Sequence, residues 1–339
     1  MLRSGAFALT VLFVACAPAP AAAPSPTATL PAATPLPIAS ATSTVAPSPT
    51  PTPISLPSSV QLSAPSGTVV WALVAGTRLF RSTDRGDSWT ERPFPAQPRN
   101  PDISFVGANE GWVSMNGSPA AQCLTQSVSL AHTADAGTTW QDIAPSGIAP
   151  AQCKENLSFT DAQHGFVSAW DPNSPPVIYR SADGGRTWAA SRPLSDPPGF
   201  TTSNAGFTLR AGAVTAFGAS LLVDAVGQTT GGQRRYVFGS SDGGATWAFR
   251  AAATDQESGV VFVTATRWLQ ISTPGASKET TDGGTSWHPF TTDYQQAAPI
   301  APAIVFGDAQ VGYATVRGAI QRTADGGAHW TQIRTPGTF

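Results

Sequence analysis

The chain spells one short phrase six times, Ser/Thr-x-Asp-x-Gly-x-x-Trp. The copies run from Ser82 to Trp89, Thr133 to Trp140, Ser181 to Trp188, Ser240 to Trp247, Thr280 to Trp287 and Thr323 to Trp330. Their aspartates, Asp84, Asp135, Asp183, Asp242, Asp282 and Asp325, lie 51, 48, 59, 40 and 43 residues apart. A unit that recurs about every 40–50 residues belongs to a solenoid or a propeller. The spelling has a local reason. A carboxylate can accept N–H groups from the residues just ahead of it and so close a turn. The glycine two places on (Gly86, Gly137, Gly185, Gly244, Gly284, Gly327) can take a positive φ that a side chain resists. Six equal acids in six equivalent turns cannot converge on one substrate. They read as structural staples, not as a calcium or catalytic site.

A looser repeat precedes the phrase. Ile103-Ser-Phe105 is followed by Gly111-Trp112, Leu157-Ser-Phe159 by Gly165-Phe166, and Ile304-Val-Phe306 by Gly312-Tyr313. Alternating apolar residues on either side of a turn predict a strand pair. A third strand leads into each phrase (Leu79 to Arg81, Val177 to Arg180, Tyr236 to Phe238), and the closing tryptophan opens a fourth. Four strands per unit, repeated radially, make a propeller blade. The expected fold is therefore all-β, a six-bladed β-propeller of four-stranded blades over residues 60–339.

The repeated phrase resembles the Asp-box, or bacterial neuraminidase repeat, of sialidases, sortilins, xyloglucanases and the photosystem II stability/assembly factor family. The wording Phe159-x-Asp161-Ala162-Gln163-x-Gly165-Phe166, echoed from Phe306 to Tyr313, is most similar to the last of these. The resemblance covers about residues 65–335 and implies a fold more than an activity, because this scaffold carries unrelated functions. The assembly-factor family has seven blades, whereas six boxes stand here with no interval long enough for another. Binding of photosystem subunits is therefore not carried over.

The front of the chain reads as an address. Arg3 precedes an apolar run from Ala6 to Ala15, too short for a spanning helix of about 20 residues. Phe13-Val14-Ala15-Cys16 resembles a bacterial lipobox, which implies that residues 1–16 are a lipoprotein signal and that Cys16 carries the lipid; an ordinary secretory signal is the alternative. Residues 17–59 hold twelve Pro and neither Gly nor charge. They predict a disordered, polyproline-like spacer. The expected location is the outer face of a bacterial membrane, held by the N-terminal lipid alone. Cys123 and Cys153 are then the remaining thiols, and export predicts a disulfide between them, free buried thiols being the alternative.

In an up-and-down blade the first and third turns emerge on one face, so all six boxes share a side. The irregular segments 116–127, 142–156, 170–176, 190–206, 225–235 and 290–302 are assigned to the opposite face. Candidate binding residues there are Trp170 with Asp171, then Arg234, Arg235, Asp255, Glu257, Asp293 and Tyr294. An aromatic beside a carboxylate can stack a sugar; equally, Phe166, Ser168 and Trp170 alternate as a strand would.

Charged residues make up only 12% of the chain and the net charge is −2, which removes the electrostatic footprint of a nucleic-acid binder. Three Cys and four His show no metal-ligand spacing. No catalytic residue, metal or cofactor is assigned. A sialidase resemblance would require an arginine clamp, a Tyr–Glu pair and an Arg-Ile-Pro phrase. No Arg-Ile-Pro occurs, and only five Glu and four Tyr exist. The expectation is a monomeric, non-enzymatic binding or assembly scaffold for a protein or glycan, with an exo-sialidase-like glycoside hydrolase as the alternative.

Overall fold

The computed structural model describes residues 53–56, 58–95, 101–201, 207–253, 258–272, 275–294 and 303–338. Cys16, the leader and most of the spacer lie outside them, as do Asp255 and Glu257. Within them the chain forms six antiparallel sheets, each of four strands taken in sequence order. The blades occupy 60–92, 101–143, 153–190, 208–252, 261–289 and 304–333. Every boxed tryptophan immediately precedes a fourth strand, and Trp71, Trp112 and Trp268 lie in second strands.

Each turn is closed by the same five hydrogen bonds. The first hydroxyl donates to the aspartate Oδ1 at 2.7–2.9 Å. It accepts the glycine N–H at 2.7–3.0 Å and, more weakly, the N–H of the aspartate itself. The N–H of the seventh residue reaches Oδ1 at 2.8–3.0 Å. Its side chain bonds Oδ2 at 2.5–2.6 Å, with the His329 imidazole replacing a hydroxyl in the last copy. The glycine takes φ between +74° and +100°, and the residue before it is left-handed too. In Asp84, Asp135 and Asp282 the seventh-residue hydroxyl, then its N–H, hold the carboxyl down at about 2. In Asp183 and Asp325 burial pushes the other way, but the summed hydrogen bonds prevail and the value is again about 2.

The looser repeat has a packing reason. Phe105, Phe159 and Phe306 pair directly across the ladder with Gly111, Gly165 and Gly312. The ring lies over the glycine so closely that a Cβ there would sit 2.1, 2.5 or 2.8 Å from it. The other face of the ring is covered by the previous blade. Trp71 stacks on Phe105 and Trp112 on Phe159, both at 3.8 Å and within 7° of parallel. Blade 1 therefore joins blade 2, and blade 2 joins blade 3, through a tryptophan of one and a phenylalanine of the next.

First strands line a central channel of about 700 Å³. Small polar side chains link neighbours around it. Ser63, Ser104 and Ser158 accept the N–H of Phe105, Phe159 and Val214 at 3.0, 2.7 and 3.0 Å. Blade 6 closes onto blade 1 without exchanging a strand. Val60, Val70, Val74 and Phe80 pack against Val311, Tyr313 and Ile320, and Arg322 bonds Asp87 at 2.7 Å. A parallel bridge joins Ile54 to Thr338. Ordered contact thus reaches upstream of residue 60, into the segment expected to be spacer.

Two segments expected as loops are strands. In blade 3 the second and third strands, Gly165–Asp171 and Ser174–Ser181, pair up to Asp171 and Ser174. In blade 4, Ser220–Thr229 and Gly232–Ser240 pair to the tip at Thr229 and Gly232. Their outer ends are polar, which reads as loop, but the ladder needs only backbone and continues beyond the core. Blade 5, by contrast, has strands of two or three residues.

Two outcomes test the turns. Thr133→Val keeps the shape of a buried side chain but leaves the Gly137 N–H without its acceptor, so unfolding in urea should lose about 1–3 kcal/mol with an unchanged slope. The six carboxyls have folded pKa values below their unfolded ones. Their stabilisation is present above about pH 4 and lost as pH falls through about 2. Melting temperature should drop across that window, and less steeply in Asp84→Asn.

Candidate functional site

Five inter-turn hydrogen bonds place the boxes on the same side as the first turns of their blades. Arg85, Ala136, Gly184, Gly283 and Gly326 donate to Thr68, Asn109, Gln163, Thr266 and Gln310. That side offers fixed pairs, not an open site. Asp161 and Asp308 each accept two N–H groups of their own turns. The residues just before the boxes do not form a cationic ring: Arg81 lies over Trp71, while His132, Glu279 and Arg322 pair with Glu110, Arg267 and Asp87.

The opposite face differs. First strands begin there, and the starts of those in blades 1 to 4 wall a cleft with two lobes. One lobe, about 410 Å³, lies between Glu155, Asn156, Arg210, Gln228, Gln233 and Arg235. The other, about 630 Å³, is bounded by Gln61, Asp102, Asn116, Lys154, Trp170 and the half-cystines. Glu155 and Asn156 belong to both. The long hairpin of blade 4 walls the smaller lobe, and Trp170 of the blade 3 hairpin borders the larger, whose other residues come from blades 1 and 2 and the start of blade 3.

Charges at the cleft are engaged pair by pair. The Arg210 guanidinium carbon sits 3.3 Å from the centre of the Trp170 ring. Burial pushes the Glu155 carboxyl up, opposed by Arg210 and by the Trp170 indole. Arg235 bonds Asp224 at 3.1 Å, and burial nonetheless raises Asp224 to about 6. Asp102 accepts the Leu157 N–H at 2.6 Å; burial raises it to about 6, and Glu155 adds to the shift. The Lys154 ammonium donates to the carbonyls of Gln126, Ala151 and Gln152, and burial lowers it to about 8.

A disulfide joins Cys123 to Cys153 across 30 residues. It fixes the loop after the second strand of blade 2 against the first strand of blade 3. Gln126 reinforces the join by accepting the Lys154 N–H at 2.6 Å and donating to Gly117 at 2.7 Å. The bridge marks an oxidising compartment and gives the chain extracytoplasmic character.

The candidates from sequence scatter. Trp170 and Arg235 line the cleft. Trp170 continues its strand opposite Cys153, and the guanidinium over its ring occupies the face that a sugar would use. Asp171 closes its own hairpin by accepting from Asn173 and Ser174. Arg234 points away, over Phe200 at 5.4 Å. Asp293 accepts the Trp330 N–H at 2.8 Å, at the turn of blade 6. Tyr294 is buried edge-on to Trp330 and is no surface group; burial pushes its hydroxyl up to about 12. Asp102, Glu155, Asn156, Arg210, Gln228 and Gln233 were not singled out. No motif marks them, and only the side-by-side packing of blades 2, 3 and 4, with the blade 4 hairpin that carries Gln228 and Gln233, brings them together.

Residues 222–336, about a third of the chain, match the family model described as photosynthesis system II assembly factor YCF48. The match runs from the second strand of blade 4 through blade 6. The chain is a six-bladed propeller, similar to that family over these residues. Among solved structures, YCF48 from Cyanidioschyzon merolae is 17% identical, with 83% of this chain and 86% of that one covered and a TM-score of 0.49. A Dyadobacter fermentans protein of unknown function is 12% identical over 83% and 94%, with a TM-score of 0.52. The Hadza microbial sialidase Hz136 is 15% identical over 77% and 65%, with a TM-score of 0.51. At these identities the likeness is one of fold. No curated protein matches the chain in sequence. Among the described residues no group of three or more His, Cys, Asp or Glu is placed to hold a metal ion.

Asp102 has a folded pKa above its unfolded one, so its contribution is present below about pH 4 and lost as pH rises through about 6. Asp102→Asn keeps an acceptor for Leu157 and should make the melting profile shallower between those values, Asp224 supplying the remaining slope, and should leave the acid limb below pH 4 in place.

Proposed function

We propose that this chain is an exported, lipid-anchored binding or assembly scaffold that presents the two-lobed cleft to a glycan or protein partner. Residues 1–16 serve as the lipoprotein signal, Cys16 carries the lipid on the outer face of a bacterial membrane, and residues 17–59 are the spacer. The propeller occupies residues 60–339 and acts as a monomer, with its Asp-box turns as structural rivets. The observation that carries this reading is the contrast between its faces. One is riveted by six equal turns, and the other opens a polar cleft flanked by the two longest hairpins. The match over residues 222–336 to a family described as an assembly factor supports a scaffold role.

Hydrolysis of a glycoside, of the exo-sialidase-like class, is the second reading. It is supported by Glu155, a carboxyl held above its usual range at the junction of the lobes, which is the condition a general acid needs. Against it, hydrolysis by paired carboxyls needs a second one roughly 5–10 Å away, and Asp102 and Asp224 are tied to Leu157 and Arg235.

Fluorogenic sialosides and aryl glycosides separate the two. The scaffold reading expects no turnover above the blank, with a partner retained from the native envelope by the wild type and lost by Arg210→Glu. Turnover abolished in Glu155→Gln would establish the hydrolase instead. Cys16→Ser should release the protein from the membrane fraction.

A further inference from the structure

The cleft also carries information about the chemistry of what it takes. Its cations are already matched: Arg210 lies against Trp170 and beside Glu155, Arg235 is bonded to Asp224, and Lys154 is enclosed by three carbonyls. An acidic ligand would have to break one of these contacts and leave its former partner uncompensated, a large cost away from water. The acids are engaged as well, Asp224 with Arg235, Glu155 beside Arg210 and Asp102 with backbone N–H. Asp224 Oδ1 and Arg235 Nε keep no hydrogen-bond partner, but they belong to one ion pair and offer a ligand no net charge. What remains on offer is neutral.

Gln228 and Gln233 stand opposite each other on the long hairpin of blade 4, with exposed side chains in the smaller lobe. At the far wall of the larger lobe, Asn116 is only 4% exposed. Its amide N–H goes to the Lys154 carbonyl at 3.0 Å, which fixes the direction of the group and leaves Oδ1 without a partner. Gln61 repeats the arrangement, with its N–H on Pro101 at 2.7 Å and its Oε1 unmatched. Buried acceptors left unmatched call for a donor. Amides that both give and accept are suited to hydroxyl groups, which do the same.

We propose that the cleft binds an uncharged oligosaccharide, with sugar units in both lobes and the chain crossing beside Glu155 and Asn156. This rests on the reading of the cleft as the partner site and narrows it to neutral sugars. A single unit can fill only one lobe, so affinity should grow with length until both are occupied. Arg210 keeps the Trp170 face covered, and recognition runs through in-plane hydrogen bonds, not through stacking on that ring.

Titration calorimetry on the intact propeller tests this with cellotetraose, xylotetraose, mannotetraose, glucose, 3′-sialyllactose and tetragalacturonate. The expected result is binding of at least one neutral tetraose, with glucose weaker by about tenfold or more. The double change Gln228→Ala with Gln233→Ala, on exposed side chains, should weaken that tetraose by about tenfold at an unchanged melting temperature. Asn116→Leu should weaken it as well; if that variant does not fold, the glutamine pair still decides. Tighter binding of an acidic sugar, or a tetraose affinity untouched by the glutamine changes, overturns the proposal while leaving a glycan partner in place. Binding of none of the sugars overturns it too. If the envelope partner of the Arg210 experiment is then a protein, the scaffold reading survives without it.

Discussion

A single four-stranded sheet, with strands of two to ten residues, cannot cover either of its faces alone, and that incompleteness governs the whole molecule. Each blade must lay one face on the next, and the last must meet the first. At two joints the contact is a tryptophan ring flat on a phenylalanine ring of the following blade. At the closing joint it is a mixed cluster of valines, Ile320, Phe80 and Tyr313, with one ion pair and one β-bridge. Because no strand is exchanged, the ring closes by side-chain packing. The buried valines of the second strand in blade 1 therefore matter as much as any motif.

Polar groups do a complementary job where packing cannot reach. First strands of adjacent blades diverge around the channel and form no continuous ladder. Serines spaced along them supply acceptors for the neighbour's N–H groups. The box turns answer the same need at the other edge of the blade, since a buried hydroxyl and a carboxylate satisfy backbone donors that a tight hairpin would otherwise leave unmatched. With turns and channel both fixed by local bonds, the strand ends on the opposite face are free to lengthen. Blades 3 and 4 have done so, and the blade 4 extension walls the smaller lobe of the cleft.

How much of this was legible follows from where the signal sits. The boxes, the tryptophans before the fourth strands and the strand pairs around Phe105, Phe159 and Phe306 are local patterns, and a local pattern survives in sequence. The Phe–Gly spacing is visible too, because the ring needs the absence of a side chain directly opposite. The hairpin tips at Asp171–Ser174 and Thr229–Gly232 were hidden, since a ladder beyond the core leaves no hydrophobic alternation. The cleft was hidden more deeply. Glu155 and Arg210 are 55 residues apart and meet only because blades 3 and 4 are neighbours. Tyr294 misled for the converse reason: a polar aromatic in a connecting segment reads as surface, yet Thr292 and Asp293 bond the blade 6 turn and bring Tyr294 against the next blade's tryptophan.

The carboxylates make the division of the two faces quantitative. Box aspartates are surrounded by donors in water's reach, and those hydrogen bonds hold them at about 2. Asp102 and Asp224, on the other side, meet fewer donors and more desolvation, and stand near 6. The same residue type is thus a permanent anion where it shapes a turn and a group close to its titration range where it borders the cleft. A riveted face gains nothing from adjustable charge, because its task is complete once the turn has formed. A face that receives a ligand does gain, since groups poised near neutrality lose less when water leaves. The opposing shifts follow from the surroundings of each carboxyl, many donors at the box turns and burial beside the cleft.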